Sequence, residues 1–292
     1  MSEKLGVERN ERVWGVTKMR NDIYILCQSL ISQSSYEIRV FEDGLPSCAG
    51  KEIEIKRIIS PFDIGSSEKE QCLYVSDHDE KCVWKINRDI NISRKIIKWL
   101  KIDYQPRKLS MTSDDQLLMI NESTSSLMLY GSDAELILSV QLPQDIKHPD
   151  HAVETSIGNF IVLHEWAEID ERDSGTSGKA EWMWIVSELT RDAGMVIRRF
   201  MPSNEDQQLN DPVYLSLDSN DRLFVADMGN GRVILLDSCL KWNQILYPRD
   251  EDTEENMMIR KPLRLCYDEE DKQLIVLGDF DKGFNVCNFI LK

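Results

Sequence analysis

Histidine is scarce in this chain, with 4 in 292 residues, which leaves little material for general acid–base catalysis or for a zinc centre. No run of 18 apolar residues occurs, so the sequence offers no membrane-spanning helix. The opening Met1-Ser2-Glu3-Lys4 lacks the apolar core of a secretory leader. Cation surplus is missing too: 35 basic against 51 acidic residues give a formal charge of −16, which argues against a phosphate-binding surface. The seven cysteines form no Cys-x-x-Cys pair, and several lie inside apolar runs, where a reduced thiol behaves as a small hydrophobe. These absences together give the expectation of a soluble, cytoplasmic protein that does not touch membranes. Neither Gly-x-Ser-x-Gly nor His-Glu-x-x-His occurs, and Gly175-Thr176-Ser177-Gly178-Lys179 lacks the spacing of a phosphate loop. No cofactor is expected.

What is present is a repeat. Short apolar runs bounded by polar turns begin at Tyr24, Tyr74, Leu118, Ile161, Phe224 and Ile275, at intervals of 50, 44, 43, 63 and 51 residues. Runs of this length suit strands buried on both faces. Each is followed by another apolar or alternating run, such as Tyr36 to Phe41, Cys82 to Ile86 and Trp182 to Val186. A proline opens the preceding strand in five of the six units: Pro61, Pro106, Pro149, Pro212 and Pro262. Proline there removes no needed ladder donor and pre-sets an extended backbone. Amphipathic outer strands, for example Leu136 to Leu142 and Leu240 to Tyr247, complete each unit. No 3.6-residue periodicity supports a helical solenoid.

The clearest unit runs from Asp211-Pro212-Val213-Tyr214-Leu215-Ser216-Leu217-Asp218 through Leu223-Phe224-Val225-Ala226-Asp227 to Gly229-Asn230-Gly231-Arg232-Val233-Ile234-Leu235-Leu236. It resembles an NHL repeat, one blade of a β-propeller, and Leu73-Tyr74-Val75-Ser76-Asp77 followed by Cys82-Val83-Trp84-Lys85-Ile86 is a weaker copy. The resemblance is similar to the C-terminal NHL domain of tripartite-motif proteins. The RING, B-box and coiled-coil patterns of those proteins are absent. It implies an all-β, single-domain, six-bladed propeller over residues 1–292. The expected blades are 11–58, 59–102, 103–146, 147–203, 209–249 and 258–292 plus 3–10, with an N-terminal strand near Leu5 to Arg9 closing the ring against the last blade. The family's acid after the second strand matches Asp77 and Asp227, and its turn arginine matches Arg232; both imply structural roles. Asp77 is followed by Lys81 instead.

The resemblance implies a non-catalytic scaffold that recognises protein or peptide through its loops. The 63-residue interval places an insertion at 164–181, and insertions in repeat arrays map to loops that often carry binding. Trp166 is the expected apolar anchor, Glu168, Asp170 and Glu171 the charge selectors, and Asp79 and Glu122 the rim, which favours a basic partner. A monomer is expected because a closed ring needs no partner to satisfy its edges. The second reading is a calcium-dependent propeller hydrolase or lactonase, with Glu11, Asp150, Asn210 and Asp211 offering hard oxygen ligands at the channel mouth. Arg12, Arg107, Arg260 and Lys261 enter at the same level and oppose an ion. His148-x-x-His151 has no visible third ligand, so no metal is assigned. Binding of single-stranded RNA, as in some NHL domains, is the third reading and requires steep loss of affinity with salt.

Overall fold

The computed structural model describes residues 4–6, 11–29, 35–42, 51–88, 96–168, 181–247, 259–280 and 283–290. They form six four-stranded antiparallel sheets. The first contains β2 (Glu11–Met19), β3 (Asp22–Ser29), β4 (Tyr36–Phe41) and β5 (Lys51–Glu54), and the second β6 (Pro61–Ser67), β7 (Cys72–Asp77), β8 (Cys82–Asn87) and β9 (Ile96–Lys101). The third has β10 (Ser110–Met111), β11 (Leu117–Asn121), β12 (Ser126–Tyr130) and β13 (Leu136–Gln141). The fourth has β14 (Lys147–Glu154), β15 (Phe160–Glu168), β16 (Glu181–Leu189) and β17 (Val196–Phe200). The fifth has β18 (Pro212–Leu217), β19 (Leu223–Asp227), β20 (Arg232–Leu236) and β21 (Trp242–Tyr247). The last combines β22 (Lys261–Asp268), β23 (Gln273–Phe280) and β24 (Gly283–Ile290) with β1 (Lys4–Gly6), in the order β1-β24-β23-β22.

The fold is an all-β propeller. The innermost strands pack in the order β2, β6, β10, β14, β18, β22, and β22 also packs on β2. A sheet buried on both faces needs apolar side chains on both, and the middle strands supply them: β7, β11 and β19 are buried throughout. Core clusters sit between neighbouring sheets, for instance Leu26, Ile38, Leu73 and Val75 between the first and second. Ile23, Ile25, Ile275 and Leu277 fill the space between the first and last. The middle strands read from the sequence coincide with β3, β7, β11, β15, β19 and β23. Among the described residues no helix is long and apolar enough to cross a membrane.

β1 pairs with β24, Lys4, Leu5 and Gly6 lying opposite Cys287, Val286 and Asn285. Most of the strand expected near Leu5 to Arg9 lies outside the described residues. Three paired residues hold one outer edge of the last sheet, so deleting residues 1–10 is expected to lower Tm by several degrees. An unchanged melting curve would show that this pairing contributes nothing.

Antiparallel order fixes two faces of the ring. The upper face carries the turns from second to third strands and the connections between sheets; the lower face carries the turns from first to second strands. On the lower face a repeated clasp links each sheet to the next. A backbone N–H in one turn donates to a carboxylate of the following sheet: Arg20 to Glu68 at 2.7 Å, Lys69 to Asp115 at 3.3 Å, Ser113 to Glu154 at 3.3 Å and Ser156 to Asp221 at 2.7 Å. Ser219 N–H likewise donates to Glu269. Between the last and first sheets the link is ionic instead, with Lys18 bonded to Asp268 and, at 2.9 Å, to Asp271. An acid in such a turn ordinarily bonds its own backbone; here it reaches across a seam.

Asp227 and Asp77 perform the structural task implied by the repeat. Asp227 accepts from Asn210 N–H at 2.7 Å and from Arg232 Nε at 2.6 Å. Asp77 accepts from the N–H groups of Ile59 (3.0 Å) and Ser60 (3.2 Å), and Trp84 Nε1 (3.1 Å) takes the place of the missing arginine.

Candidate functional site

The channel at the ring's axis is closed by its own side chains. Just inside the upper face the inner strands bulge, with register shifts at Val13/Gly15, Pro61/Ile64, Lys147/His151, Pro212/Tyr214 and Pro262/Arg264. A bulge re-aims the side chains beside it. The bulge brings the second residue after the opening proline to the axis as Asp63, His151, Tyr214 and Arg264, all buried. Lys108, which precedes β10 without a bulge, is buried with them. Gly15 takes the corresponding place in β2, and a Cβ there would stand 2.8 Å from Asp63 Oδ1.

These groups satisfy one another. Asp63 accepts from Leu109 N–H at 3.0 Å, Tyr214 Oη–H at 3.1 Å and Arg264 Nε at 3.4 Å. Lys108 is ion-paired with Asp150. The His151 ring stacks on Tyr214 with centroids 4.0 Å apart. Burial raises the Asp63 carboxyl, opposed by the Arg264 charge, and burial lowers Lys108 against the pull of Asp150. His151 is held well below the ordinary histidine range by burial and by the Lys108 and Arg264 charges.

Ser110 Oγ lies 2.9 Å from His151 Nε2, the spacing of a nucleophile and its base. The tautomer rules that chemistry out. Leu215 N–H donates to His151 Nδ1 at 3.0 Å, so the neutral ring carries its proton on Nε2 and donates to Ser110. A base would need that nitrogen's lone pair.

Above this septum, on the upper face, lies a groove of about 770 Å³ between the third and fourth sheets. Arg107, Glu122, Gln141, Lys147, His148 and Trp184 are among its lining residues. Two of its carboxylates pair with cations of the chain, Glu122 with Arg107 at 2.8 Å and Asp150 with Lys108, and Glu165 lies 4.0 Å from His148 Nε2. Its wall is the fourth sheet's central hairpin, where β15 and β16 stay paired out to Glu168 opposite Glu181.

That pairing corrects the loop expected from His164 onward. Backbone hydrogen bonds continue through Glu165, Trp166, Ala167 and Glu168, so the unpaired part of the insertion begins only after Glu168. Trp166 lies opposite Met183 and is half-buried, where a loop anchor would be free. Asp170 and Glu171 lie outside the described residues. Asp79 is exposed and bonded to His78 Nδ1 at 2.9 Å, away from the groove lining. Of the expected contact residues, the groove brings in Glu122 alone among the described residues. The missed residue is Trp182, which is 52% exposed and meets the His148 ring edge-on at 6.1 Å. The alternation Trp182-Met183-Trp184 was its signal, since period two sends both tryptophans to one face.

Of the four oxygen donors expected for calcium, three lie among the described side chains. Asp150 is held by Lys108, Asn210 and Asp211 are exposed at the start of β18, and Glu11 opens β2. Among the described residues no group of three or more His, Cys, Asp or Glu side chains could hold a metal ion.

Neither a protein-family model nor a curated protein matches the sequence. Solved structures do. Hydrazine synthase from Kuenenia stuttgartiensis superposes with a TM-score of 0.64 at 14% identity over 96% of both chains. Catalytically inactive virginiamycin B lyase from Staphylococcus aureus with quinupristin gives 0.59 at 10% identity, over 100% of this chain and 99% of that one. YCF48 bound to D1 peptide gives 0.57 at 10% identity, over 97% and 79%. The shared property is the fold. Two of these three names are enzymes and one is a peptide complex, so the propeller itself does not choose between them.

Proposed function

We propose that the chain is a single-domain, closed, six-bladed propeller that serves as a recognition module for an extended polypeptide on its upper face. One observation carries this reading. The fourth sheet's hairpin extends its ladder to Glu168 and Glu181, walls a groove of about 770 Å³, and displays Trp182 and His148 at its edge. An exposed aromatic pair beside a polar groove supplies an anchor and a hydrogen-bonding rim. Stiff sheets hold both, so little ordering cost is incurred on binding. The axial septum supports the same view, since Lys108 and Arg264 occupy the space that a channel metal requires. YCF48, a propeller of similar fold, was solved with a peptide. Two of the groove's carboxylates are internally paired, so a basic partner would be favoured by the chain's charge of −16 through long-range steering.

The test is selection of displayed random peptides on the wild-type protein, followed by affinity measurement on Trp182→Ala and Trp182→Phe. Loss of about tenfold or more in Trp182→Ala, with partial retention in Trp182→Phe, is expected from removing an aromatic anchor. Equal enrichment on wild type and Trp182→Ala would overturn the assignment. Calcium-stimulated ester or lactone turnover that disappears in Asp150→Asn would favour the hydrolase instead.

A further inference from the structure

The septum divides the axis into two compartments, and the lower one is a funnel of about 700 Å³ that the upper-face reading does not use. Val16, Ile64, Leu109, Met111, Leu215 and Leu265 form the apolar part of its wall. Hydroxyl side chains interrupt that surface, and among them Thr17, Ser66, Ser110 and Ser216 differ in what remains of their hydrogen-bonding capacity. Ser66 Oγ donates to Lys18 C=O at 2.7 Å and lies 2.8 Å from Thr17 Oγ1, so this pair is spent on its own seam. Ser110 and Ser216 are in the opposite condition. Ser110 Oγ accepts from His151 Nε2–H, in the tautomer fixed by Leu215 N–H, and Ser216 Oγ accepts from Tyr267 N–H at 3.1 Å. Each oxygen has taken an N–H, and each O–H proton is left to donate into the funnel that both residues line.

The rim sets the charge of what can enter. Glu68, Asp115, Glu154, Asp221 and Glu269 surround the opening, and each already accepts the turn N–H that clasps one sheet to the next. An anion is repelled by this collar. A cation is drawn to the rim, where each carboxylate keeps lone pairs beyond the one amide it holds, as Glu269 shows by also accepting from Lys272. The hydroxyl donors deeper in the funnel offer a cation nothing. We infer that the lower-face funnel binds an uncharged, mainly apolar molecule carrying a hydrogen-bond acceptor oxygen, which Ser110 and Ser216 receive. Its volume falls in the range of small-molecule clefts, and a few placed donors on an apolar wall are the composition such sites use.

Three probes of one shape separate the elements of this inference: acetophenone (neutral, with an acceptor), ethylbenzene (neutral, without one) and benzoate (anionic). Binding is read at pH 7 from the Met111 ε-methyl resonance of methyl-labelled protein, assigned with Met111→Leu. Acetophenone is expected to shift that resonance, Ser110→Ala and Ser216→Ala each to weaken it about fivefold, the share of one hydrogen bond, and benzoate to leave it unmoved. Ser216→Ala leaves His151 untouched, so it remains informative if Ser110→Ala melts early. Equal affinity for acetophenone and ethylbenzene, binding of benzoate at comparable strength, or a Met111 methyl unmoved by every probe up to its solubility limit would each overturn the inference.

Discussion

Asp63→Ala is expected to destabilise the protein by about 4 kcal/mol, because it strips one partner from a buried ion pair. Asp63 is fully buried at the axis and receives Leu109 N–H, Tyr214 Oη–H and Arg264 Nε. Removing the carboxylate leaves the Arg264 charge without its counter-ion and Leu109 N–H without its acceptor in a buried site, while Tyr214 Oη–H keeps Leu109 C=O at 3.2 Å. In a chain of this length the loss corresponds to a Tm drop on the order of 10 °C. The decisive comparison is Asp63→Ala with Arg264→Leu. Replacing both charges by apolar groups removes the orphaned guanidinium, so the double variant should recover more than half of the single variant's loss. A Tm change under 2 °C in Asp63→Ala, or a double variant worse than the sum of its parts, would show that the septum is not an energetic unit.

Lys18→Met is the second large effect, expected at about 3 kcal/mol near neutral pH. Lys18 and Asp268 are both largely buried, with side chains 10% and 8% exposed, whereas Asp271 is 57% exposed and adds little through solvent screening. Methionine keeps the packed stem and removes the charge, so Asp268 remains in its place without a cation. The pH dependence follows from the two partners. Asp271 is lowered from its ordinary 3.8 by the Lys18 hydrogen bond, so its share of the stability is present above that pH and is lost as pH falls. Lys18 is raised above 10.5 by its bonds to Asp268 and Asp271, which outweigh the opposing effect of burial. Its share is present below 10.5 and is lost as pH rises further. The gap in Tm between wild type and Lys18→Met should therefore be flat from about pH 5 to pH 9 and narrow in acid by the small share that Asp271 contributes. A gap unchanged at pH 2 would show that Asp271 contributes nothing to the link.

Much of the ring was legible in the sequence, because buried middle strands must be apolar and their spacing survives divergence of the turns. Tyr74 to Asp77 and Phe224 to Asp227 announce themselves in this way. The septum was equally present in the residues and was not read. Pro61-Phe62-Asp63, Pro106-Arg107-Lys108, Pro149-Asp150-His151, Pro212-Val213-Tyr214 and Pro262-Leu263-Arg264 each put a polar group two places after the proline. Alone, each looks like a solvated residue at a strand start; only the ring brings them to one axis. The clasp carboxylates were hidden for the opposite reason. Glu68, Asp115 and Asp221 stand in turns where acids ordinarily serve their own backbone, and no local pattern tells that case from a bond across a seam. The tall hairpin was misread because beyond the ring its strands lose neighbouring sheets. His164-Glu165-Trp166-Ala167-Glu168 then carries a loop's polarity on a strand's backbone.

The pairing of Lys4 with Cys287 sets a clock on the ribosome. At ordinary synthesis rates, β24 emerges roughly 15 s to a minute after β1. Throughout that interval β1 has no strand to join, because β24, its partner in the sheet, has not been made. The other five sheets are each built from one contiguous stretch and can form as they appear, so the ring should assemble sheet by sheet and finish with β1 joining β24.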